Sequence, residues 1–259
     1  FSGSVLTLGR QNVYATLDNV QCLLAQEHVV PVCLPSGQSI CTNIPSWLGT
    51  PNEKNTNDVV FFKLLGLSEV LALDYSAFES AEIVADLNLP LPNELHKRFD
   101  LIVDGGTLEH VFDVRQGLMN VALMLKVGGR VIHMSPANNF MNHGFYQFSP
   151  TLFFDYYGSN GFADLRGFIV EGHMLFHNYP YDVFEATDTL GCIASNTSAK
   201  VLGVYFIAEK TATSTENKVP LQGYYQSLHH DLSVKTIPSH QRWESLKRLF
   251  PKRIRSLWR

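Results

Sequence analysis

Three aspartates in this sequence each stand at the end of a short apolar run. Asp74, Asp86 and Asp104 close such runs, and Gly9 closes an earlier one. Runs of this kind are typical of buried parallel strands, and ligands bind outside the carboxyl ends of these strands. A carboxylate placed there can accept hydrogen bonds from both hydroxyls of a ribose. One aspartate alone would more often cap a turn, but three at successive strand ends predict a shared nucleoside-binding crevice.

Two histidines follow later strands and are candidates for proton transfer. His110 comes just after the run that ends at position 104, and His143 lies in an aromatic and polar segment further on. Imidazole titrates near neutral pH, so either side chain could accept a proton from a substrate. We prefer His143, with Tyr146 beside it. The alternatives are that His143 and Tyr146 anchor the loop while Phe145 and Phe148 belong to the core, and that His110 has a structural role.

An alternation of strands and helices must bring these residues together. Seven apolar runs predict strands at 5–9, 69–74, 83–86, 99–104, 130–134, 167–170 and 201–208. Apolar positions at helical spacing predict one helix that begins at Asn12 and others at 57–65, 114–125 and 150–160. Gly128 and Gly129 are expected to end the third helix. The pattern predicts an α/β fold with a doubly wound, mostly parallel, seven-stranded sheet covered on both faces.

The chain between the first two predicted strands is long and rich in residues that break regular structure. Residues 28–51 contain four prolines and two glycines, namely Pro31, Pro35, Pro45, Pro51, Gly37 and Gly49. Such a stretch cannot sustain a helix or a central strand. We therefore predict an irregular insertion at about 28–56 within a domain that covers 1–210. The polar run at 211–215 predicts that 211–241 is a linker and irregular segment.

Charge is unevenly distributed along the chain. The formal net charge is −4, but residues 1–241 carry 13 basic and 23 acidic side chains, whereas 242–259 carry seven basic and one acidic. An acidic globular part offers no basic surface to nucleic acid, so a nucleic-acid partner is not expected. The last 18 residues combine basic and apolar positions at helical spacing, which predicts a basic amphipathic C-terminal helix. Such a helix could contact a membrane or a protein, track RNA, or pack on its own chain or on a second copy in a homo-oligomer.

Cysteine usage and hydropathy favour a reducing compartment. The four cysteines are too few and too irregularly spaced for a disulfide framework or a paired zinc motif: Cys22, Cys33, Cys41 and Cys192. No apolar run reaches membrane-spanning length, and residues 1–4 lack the features of a signal peptide. We expect a cytoplasmic protein whose membrane association, if any, is through the C-terminal helix. The cluster at 229–231 is polar and solvated in character, so no metal site is predicted.

Two segments resemble the class I S-adenosylmethionine-dependent methyltransferases. Residues 99–111, Phe-Asp-Leu-Ile-Val-Asp-Gly-Gly-Thr-Leu-Glu-His-Val, look like the family's fourth strand and the Glu-His signature that follows it. Residues 123–132 are similar to its Leu-Lys-Pro-Gly-Gly block, with Val127 in place of the proline. The resemblance extends over about residues 5–210. It implies a Rossmann-like methyltransferase fold and S-adenosylmethionine as the cofactor.

The resemblance also implies roles for the residues around the crevice. Asp74 and Tyr75 match the ribose-binding acidic position and its neighbour, and Asp86 with Leu87 matches the pair that flanks the adenine. The cofactor-binding residues are then Gly9, Arg10, Gln11, Asp74, Tyr75, Asp86, Leu87, Asp104, Gly105 and Gly106. The catalytic candidates remain His143, Tyr146 and His110.

The glycine-rich first motif of that family is degenerate in this chain. Gly9 is followed by Arg10, Gln11 and Asn12, so one glycine remains where the backbone must pass close to the cofactor. A helix N-terminus near Asn12 could still bind the cofactor's carboxylate through free N–H groups. Arg10 could add a charged contact or block the site. The chain also lacks the motifs of nicotinamide dehydrogenases, P-loop NTPases and α/β-hydrolases, which disfavours those classes.

Two functional hypotheses follow from these patterns. The first is a methyltransferase that uses S-adenosylmethionine to methylate a small-molecule, sugar or glycan acceptor at oxygen. The second is a noncatalytic methyltransferase-like module in which Arg10 and Gln11 close the crevice and the basic C-terminal segment recruits a partner. An open cavity beside Gly9, Asp74 and Asp104 would favour the first hypothesis, and side chains that fill the cavity would favour the second.

Overall fold

The computed structural model describes residues 2–32, 55–172, 181–186, 199–223 and 225. The strands are β1 (Ser4–Leu8), β2 (Asn12–Thr16), β3 (Asn55–Asn57), β4 (Glu69–Asp74), β5 (Ile83–Val84), β6 (Phe99–Asp104), β7 (Leu125–Asn138), β8 (Ala163–Gly172), β9 (Asp182–Ala186) and β10 (Val201–Glu209). The helices are α1 (Leu17–Gln26), α2 (Asp58–Leu64), α3 (Val114–Met124) and α4 (Pro150–Ser159). All of them fall in one compact unit, residues 1–188 and 194–220. The second unit comprises 189–193 and 221–259, of which 221–223 and 225 are described.

Eight of the described strands form one sheet, in the order β5-β4-β1-β6-β7-β10-β8-β9. The strands from β5 to β7 are parallel to their neighbours, and β10 is antiparallel to both β7 and β8. Chain order runs outward from β1 through β4 to β5 in one direction and from β6 to β7 in the other, and β10 then lies between β7 and β8. This arrangement is that of a doubly wound α/β fold, with its switch point between β1 and β6. The predicted fold class is therefore confirmed.

The centre of the sheet is covered on both faces. All five residues of β1 are buried, and Leu6 lies opposite Leu71 of β4 and Ile102 of β6. Successive residues of a strand face opposite sides. One side belongs to the core cluster that contains Phe153 of α4, and the other to the cluster that contains Phe62 of α2. Burial on both faces explains why these strands are continuous apolar runs. Because β1, β4 and β6 are parallel neighbours, their carboxyl ends lie at the same edge of the sheet.

Residues 12–16 form a strand, and the prediction that a helix begins at Asn12 is wrong. β2 pairs with β3 in a separate two-stranded sheet, with Asn12 opposite Asn57 and Thr16 opposite Asn55. Helix α1 begins only after Thr16, whose hydroxyl accepts a hydrogen bond from the Asn19 N–H at 3.2 Å. The apolar spacing from residue 13 onward fits a strand followed by a helix as well as it fits one helix. The cofactor carboxylate therefore cannot meet a helix N-terminus at Asn12.

Replacing Thr16 with Ala should destabilise the protein by about 1 kcal/mol, within the ~0.5 to 2 kcal/mol that loss of a helix cap costs. The substitution removes the acceptor for one N–H group in the first turn of α1. Urea unfolding of the two proteins measures the difference. Thr16→Ser keeps the hydroxyl and should lose much less, so equal losses in the two variants would contradict the capping role.

Strand β7 begins earlier than predicted. It starts at Leu125 directly after α3, so Gly128 and Gly129 lie inside the strand and do not end the helix. Gly128 has a φ of 81°, and a Cβ on Gly129 would lie 3.0 Å from the Phe99 carbonyl oxygen. The pairing of β6 with β7 shifts register between Phe99 and Leu101. The two glycines therefore allow β7 to bend closely against β6.

The far edge of the sheet differs from the prediction in two ways. β9 adds an eighth strand, antiparallel to β8. The start of the predicted linker is hydrogen-bonded to the end of α4: the Thr215 N–H donates to the Asn160 carbonyl and the Tyr156 hydroxyl to the Glu216 carbonyl, both at 2.8 Å. The first compact unit accordingly extends to Pro220, beyond the predicted domain end at 210.

Some predictions fall outside the described residues. These include most of the insertion at 28–56, where 33–54 is not described, the linker from 226 onward, and the amphipathic helix at 242–259. Cys22 is a free, exposed thiol, and the other three cysteines lie outside the described ranges. None of the described helices has the length and apolar character needed to cross a bilayer.

Candidate functional site

A cavity of about 480 Å³ lies at the edge of the sheet where β1, β4 and β6 end. This edge is the switch point of the strand order, where doubly wound folds bind their ligands. Ten of the predicted site residues line the cavity, namely Gly9, Arg10, Gln11, Asp74, Tyr75, Asp86, Leu87, Gly105, Gly106 and His110. The wall also includes Tyr14, Asn88 and Thr107, which are not among the predicted site residues.

Gly9 lets the chain turn sharply as it leaves β1. Its φ is 71°, and its N–H donates to the Leu73 carbonyl at 2.7 Å, which joins the ends of β1 and β4. A Cβ at this position would lie 3.3 Å from the Thr107 hydroxyl and 3.7 Å from Asp74 Oδ2. A left-handed residue with this little room favours glycine. The one glycine that remains from the motif therefore leaves the backbone accessible from the cavity.

The Asp74 carboxylate is half-buried at the end of β4. Its Oδ1 accepts a hydrogen bond from the Ser76 N–H at 3.0 Å, which holds the side chain in place. Within the described part of the chain no group donates to Oδ2, the oxygen near Gly9. A ligand in the cavity can therefore donate to this oxygen, which is the role that the resemblance implies.

The turn after β5 forms another part of the wall. Asp86 Oδ1 accepts hydrogen bonds from the backbone N–H and the side-chain amide of Asn88, at 2.9 and 2.7 Å. The Leu87 side chain is buried, and its carbonyl accepts from the Asn120 amide on α3 at 3.0 Å. These bonds make the turn rigid. Tyr75 adds an aromatic ring that is 77% exposed, so the wall offers apolar surface on which a flat ring could pack.

Gln11 occupies part of the space beside Gly9. Its amide nitrogen donates to the carbonyls of Leu8 at 2.8 Å and Gly9 at 3.2 Å. Its amide oxygen packs so closely on Gly105 that a Cβ there would clash with it. The side chain thus narrows the cavity at this point, although the cavity itself remains open.

Arg10 is held by carboxylates rather than projecting freely into the cavity. Its guanidinium pairs with Glu82 at 2.7 Å and with Asp58 at 3.4 Å, and it donates to the Ser80 carbonyl at 2.8 Å. Asp58 is buried and also accepts from the Gln11 N–H at 3.2 Å. This network fixes the turn after β1 and neutralises the arginine locally.

Asp104 lies behind the cavity wall, not in it. Its side chain is fully buried, and Oδ2 pairs with His133 Nδ1 at 2.8 Å. Its Oδ1 accepts from the Thr107 N–H at 3.0 Å and the Leu108 N–H at 3.3 Å. The prediction that Asp104 contacts the cofactor therefore needs correction. Its carboxylate instead holds the turn that carries Gly105, Gly106 and Thr107 into the wall.

Glu109, His110 and His143 come together next to the cavity, whose wall includes His110, and we call them the Glu-His-His cluster. Glu109 Oε1 lies 3.5 Å from His143 Nε2 and 3.9 Å from His110 Nε2, and the two imidazole rings are 5.1 Å apart. The side chain of Glu109 is 1% exposed, that of His143 is 35% exposed, and His110 lines the cavity. Glu109 was part of the quoted signature but not a predicted site residue.

The electrostatic environment favours the neutral forms of Glu109 and His110. Burial and the nearby Asp104 charge together raise the pKa of Glu109 to about 7, against a backbone hydrogen bond that lowers it. Burial also lowers the pKa of His110, and His143 lowers it further. The imidazole of His110 therefore keeps a lone pair available near neutral pH.

Tyr146 and its aromatic neighbours fix the loop that carries His143. The Tyr146 hydroxyl donates to the Phe112 carbonyl at 2.8 Å, and Phe148 is buried in the core. Phe145 is 65% exposed and packs edge-to-face on Phe112, with ring centroids 5.5 Å apart. Tyr146 and Phe148 thus follow the anchoring alternative, whereas Phe145 does not belong to the core.

Comparison with known proteins gives structural matches only. No protein-family model matches this chain, and no curated protein does. A SAM-dependent methyltransferase from Thermotoga maritima is 16% identical, over 81% of this chain and 82% of its own, with a TM-score of 0.40. The YcgJ protein of Bacillus subtilis is 16% identical, over 81% of this chain and 92% of its own, with a TM-score of 0.41.

A third similar structure is the 1,6-didemethyltoxoflavin-N1-methyltransferase of Burkholderia thailandensis with bound 1,6-didemethyltoxoflavin and S-adenosylhomocysteine. It is 13% identical, over 81% of this chain and 72% of its own, with a TM-score of 0.39. The strand order and the cavity at the switch point, rather than these overlays, define the fold. That fold is a doubly wound, Rossmann-like α/β fold.

Proposed function

We propose that this protein is an S-adenosylmethionine-dependent methyltransferase that methylates an oxygen atom of a small-molecule, sugar or glycan acceptor. The observation that carries the proposal is the open cavity at the ends of β1 and β4, with Gly9, Asp74 and Asp86 in its wall. Its volume of about 480 Å³ lies within the roughly 300 to 1,000 Å³ usual for small-ligand pockets. A nucleoside with an amino-acid tail is a ligand of this size.

The chemistry of the wall suits the parts of this cofactor. The acceptor oxygen of Asp74 suits a ribose hydroxyl, and the turn at Asp86 and Leu87 offers apolar surface to an adenine ring. Gly9 and Gly105 line the cavity where the amino-acid end would lie, beside the Gln11 side chain. The cofactor supplies an activated methyl group on a sulfonium sulfur, and the protein's part is to hold the acceptor in line with it.

The acceptor would approach on the side of the Glu-His-His cluster. With the cofactor bound, transfer of its methyl group to a hydroxyl oxygen would break the carbon–sulfur bond and leave the electron pair of that bond on sulfur. The hydroxyl proton must leave, and we assign His143 as its acceptor because its imidazole is partly exposed and packs against His110, which lines the cavity. The exposed rings of Phe112 and Phe145 offer an apolar surface to the acceptor beside this point.

A noncatalytic module is the second candidate, and the position of Gln11 is the observation that favours it. The Gln11 side chain lies against Gly105 and bonds to the backbone of β1 and its turn. If it did not move, it would exclude the amino-acid end of the cofactor. In that case the fold would serve binding through another surface.

Calorimetric titration with S-adenosylhomocysteine separates the two candidates. We expect saturable one-to-one binding by the wild-type chain, with NADH and ATP as ligands that do not bind. Absence of S-adenosylhomocysteine binding by the wild-type chain would refute the proposed function. If Gln11→Ala then bound the ligand while the wild type did not, the noncatalytic candidate would be favoured.

A further inference from the structure

The Glu-His-His cluster has the composition and the spacing of a metal site. One ligand atom from each of Glu109, His110 and His143 lies within 4.8 Å of the other two. Zn²⁺ stands about 2.0 to 2.2 Å from nitrogen and oxygen ligands, so its ligand atoms are about 3 to 3.5 Å apart. The distances of 3.5 and 3.9 Å from Glu109 Oε1 to the two imidazoles are already close to this. Small side-chain rotations would complete the set.

Glu109 is a buried carboxylate that lacks a counter-charge. Its side chain is 1% exposed, and its Oε2 is buried without a hydrogen-bond partner. Within the described ranges, the two imidazoles are the only basic groups within ion-pair distance of it. A buried, unpartnered carboxyl oxygen is costly to a fold unless a proton or a cation accompanies it. Two imidazoles that share one carboxylate are the natural partners of a divalent cation.

Backbone hydrogen bonds hold the loop that carries His143 against the turn that carries Glu109 and His110. The Phe145 N–H donates to the Glu109 carbonyl at 2.8 Å, and the Tyr146 N–H approaches the same oxygen at 3.3 Å. A Cβ on Gly144 would lie 2.9 Å from that carbonyl, so the absence of a side chain lets the loop approach. The loop that carries His143 is therefore tied directly to the turn that carries Glu109. Such preorganisation lowers the cost of bringing ligands together.

We propose that the Glu-His-His cluster binds a divalent transition-metal cation through Glu109, His110 and His143. Two imidazoles and one carboxylate are the ligand set of catalytic zinc sites and of other sites that keep a coordination position open. Because His110 also lines the cavity, the open position would face it. An oxygen-bearing ligand in the cavity could then coordinate the cation.

The proposal rests on the geometry of the cluster and stands whether or not the protein transfers methyl groups. If the proposed function also holds, a bound cation changes the assignment made above. The lone pair of His143 would be taken by the metal, so the acceptor's proton would pass to water. The cation would stabilise the oxygen anion that remains.

Titration of the chelator-treated full-length chain with Zn²⁺ tests the proposal by calorimetry. The wild-type chain should bind Zn²⁺ saturably, and Glu109→Gln and His143→Ala should each weaken the binding at least tenfold. Glu94→Gln removes an exposed carboxylate that belongs neither to the cluster nor to the cavity wall, and it should change nothing. A double substitution, His229→Ala with His230→Ala, controls for the cluster at 229–231. No cofactor is needed, so failure here is distinct from failure to bind S-adenosylhomocysteine.

A second measurement, of unfolding temperatures, distinguishes loss of Zn²⁺ binding from loss of folding in the variants. Zn²⁺ should raise the unfolding temperature of the wild-type chain, because it binds the folded state. It should not raise that of Glu109→Gln, which is isosteric and removes the carboxylate ligand. The proposal is overturned if the wild-type chain binds no Zn²⁺, if the cluster variants bind it as tightly as the wild type, or if only the 229–231 variant loses binding.

Discussion

Asp74→Ala should weaken the binding of S-adenosylhomocysteine roughly 10- to 150-fold, or by ~1.5 to 3 kcal/mol, the usual worth of a hydrogen bond to a charged group. Ser76 already fixes Oδ1, and the oxygen near Gly9 has no donor among the described residues. A ribose hydroxyl that loses this acceptor would face the cavity without a partner. Calorimetric titration of the two proteins measures the ratio of dissociation constants.

Two further variants make this result specific to the carboxylate. Asp74→Asn keeps one acceptor oxygen but removes the charge, so its loss of affinity should lie between those of the wild type and Asp74→Ala. Glu94→Gln alters an exposed acidic residue outside the cavity wall and should bind like the wild type. If Asp74→Ala binds as tightly as the wild type, its assigned contact with the ribose is wrong, even though the cavity still binds the cofactor.

The sequence predicted the parts of the fold that depend on local pattern. β4, β6, α3 and α4 lie within a residue or two of their predicted bounds, because continuous apolar runs and helical spacing reflect burial directly. The start of α1 was missed because Val13 suits either a strand or a helix. Only the pairing of Asn12 with Asn57, 45 positions away, decides between them. That contact depends on the chain returning from the insertion, which local spacing does not record.

The sequence predicted those site residues that directly follow a strand, because the ends of the strands could be recognised. Asp74 and Asp86 lie in the cavity wall as the alternation of strands indicates. Asp104 carries the same signal in sequence, yet it is paired with His133. The register of β6 and β7 places these two residues side by side. This register cannot be predicted from the sequence of either strand alone. Burial by a distant partner thus turned a predicted ligand contact into an internal one.

Glu109 is a site residue that the sequence did not predict, because its burial depends on a distant segment. Its position beside His110 was visible in the Glu-His signature, but its burial was not. The loop at 143–146, 34 positions further on, covers it and brings the second imidazole. A glycine and a histidine adjacent in sequence, His143 and Gly144, were the available signal, since the glycine permits close approach to another backbone. The cluster combines residues of two segments, so it could be identified only from a structure that positions both.

Asp104→Ala should have the largest effect on stability, about 3 to 5 kcal/mol, because it breaks a buried charged network from one side. Asp104 Oδ2 pairs with His133 Nδ1, and His133 Nε2 contacts the Tyr157 hydroxyl at 2.7 Å. Burial raises the pKa of Tyr157 well above its usual range, so its hydroxyl keeps the proton and donates to Nε2. His133 must then carry its proton on Nδ1 and donate it to the carboxylate. Loss of that acceptor leaves the imidazole and two backbone N–H groups buried without partners.

Asp104→Asn distinguishes the loss of hydrogen bonds from the loss of charge. The amide can still accept from the Thr107 N–H, and it can donate to Nδ1 if His133 moves its proton to Nε2 and donates it to the Tyr157 oxygen. We therefore expect Asn to retain much of the stability that Ala loses. Tyr157→Phe removes only the far hydroxyl and should cost about 1 to 3 kcal/mol.

Urea unfolding of the wild type and the three variants measures these differences against a total stability of about 5 to 15 kcal/mol, typical of a domain. A loss of less than ~0.5 kcal/mol for Asp104→Ala would be the behaviour of a surface position and would contradict the network. Among the three variants, Asp104→Ala should lose the most stability, and Asp104→Asn should lose no more than Tyr157→Phe.

Asp104 also holds Thr107, which lies in the cavity wall, so Asp104→Ala should disturb that wall. Cofactor affinity should therefore fall together with stability in Asp104→Ala but not in Tyr157→Phe.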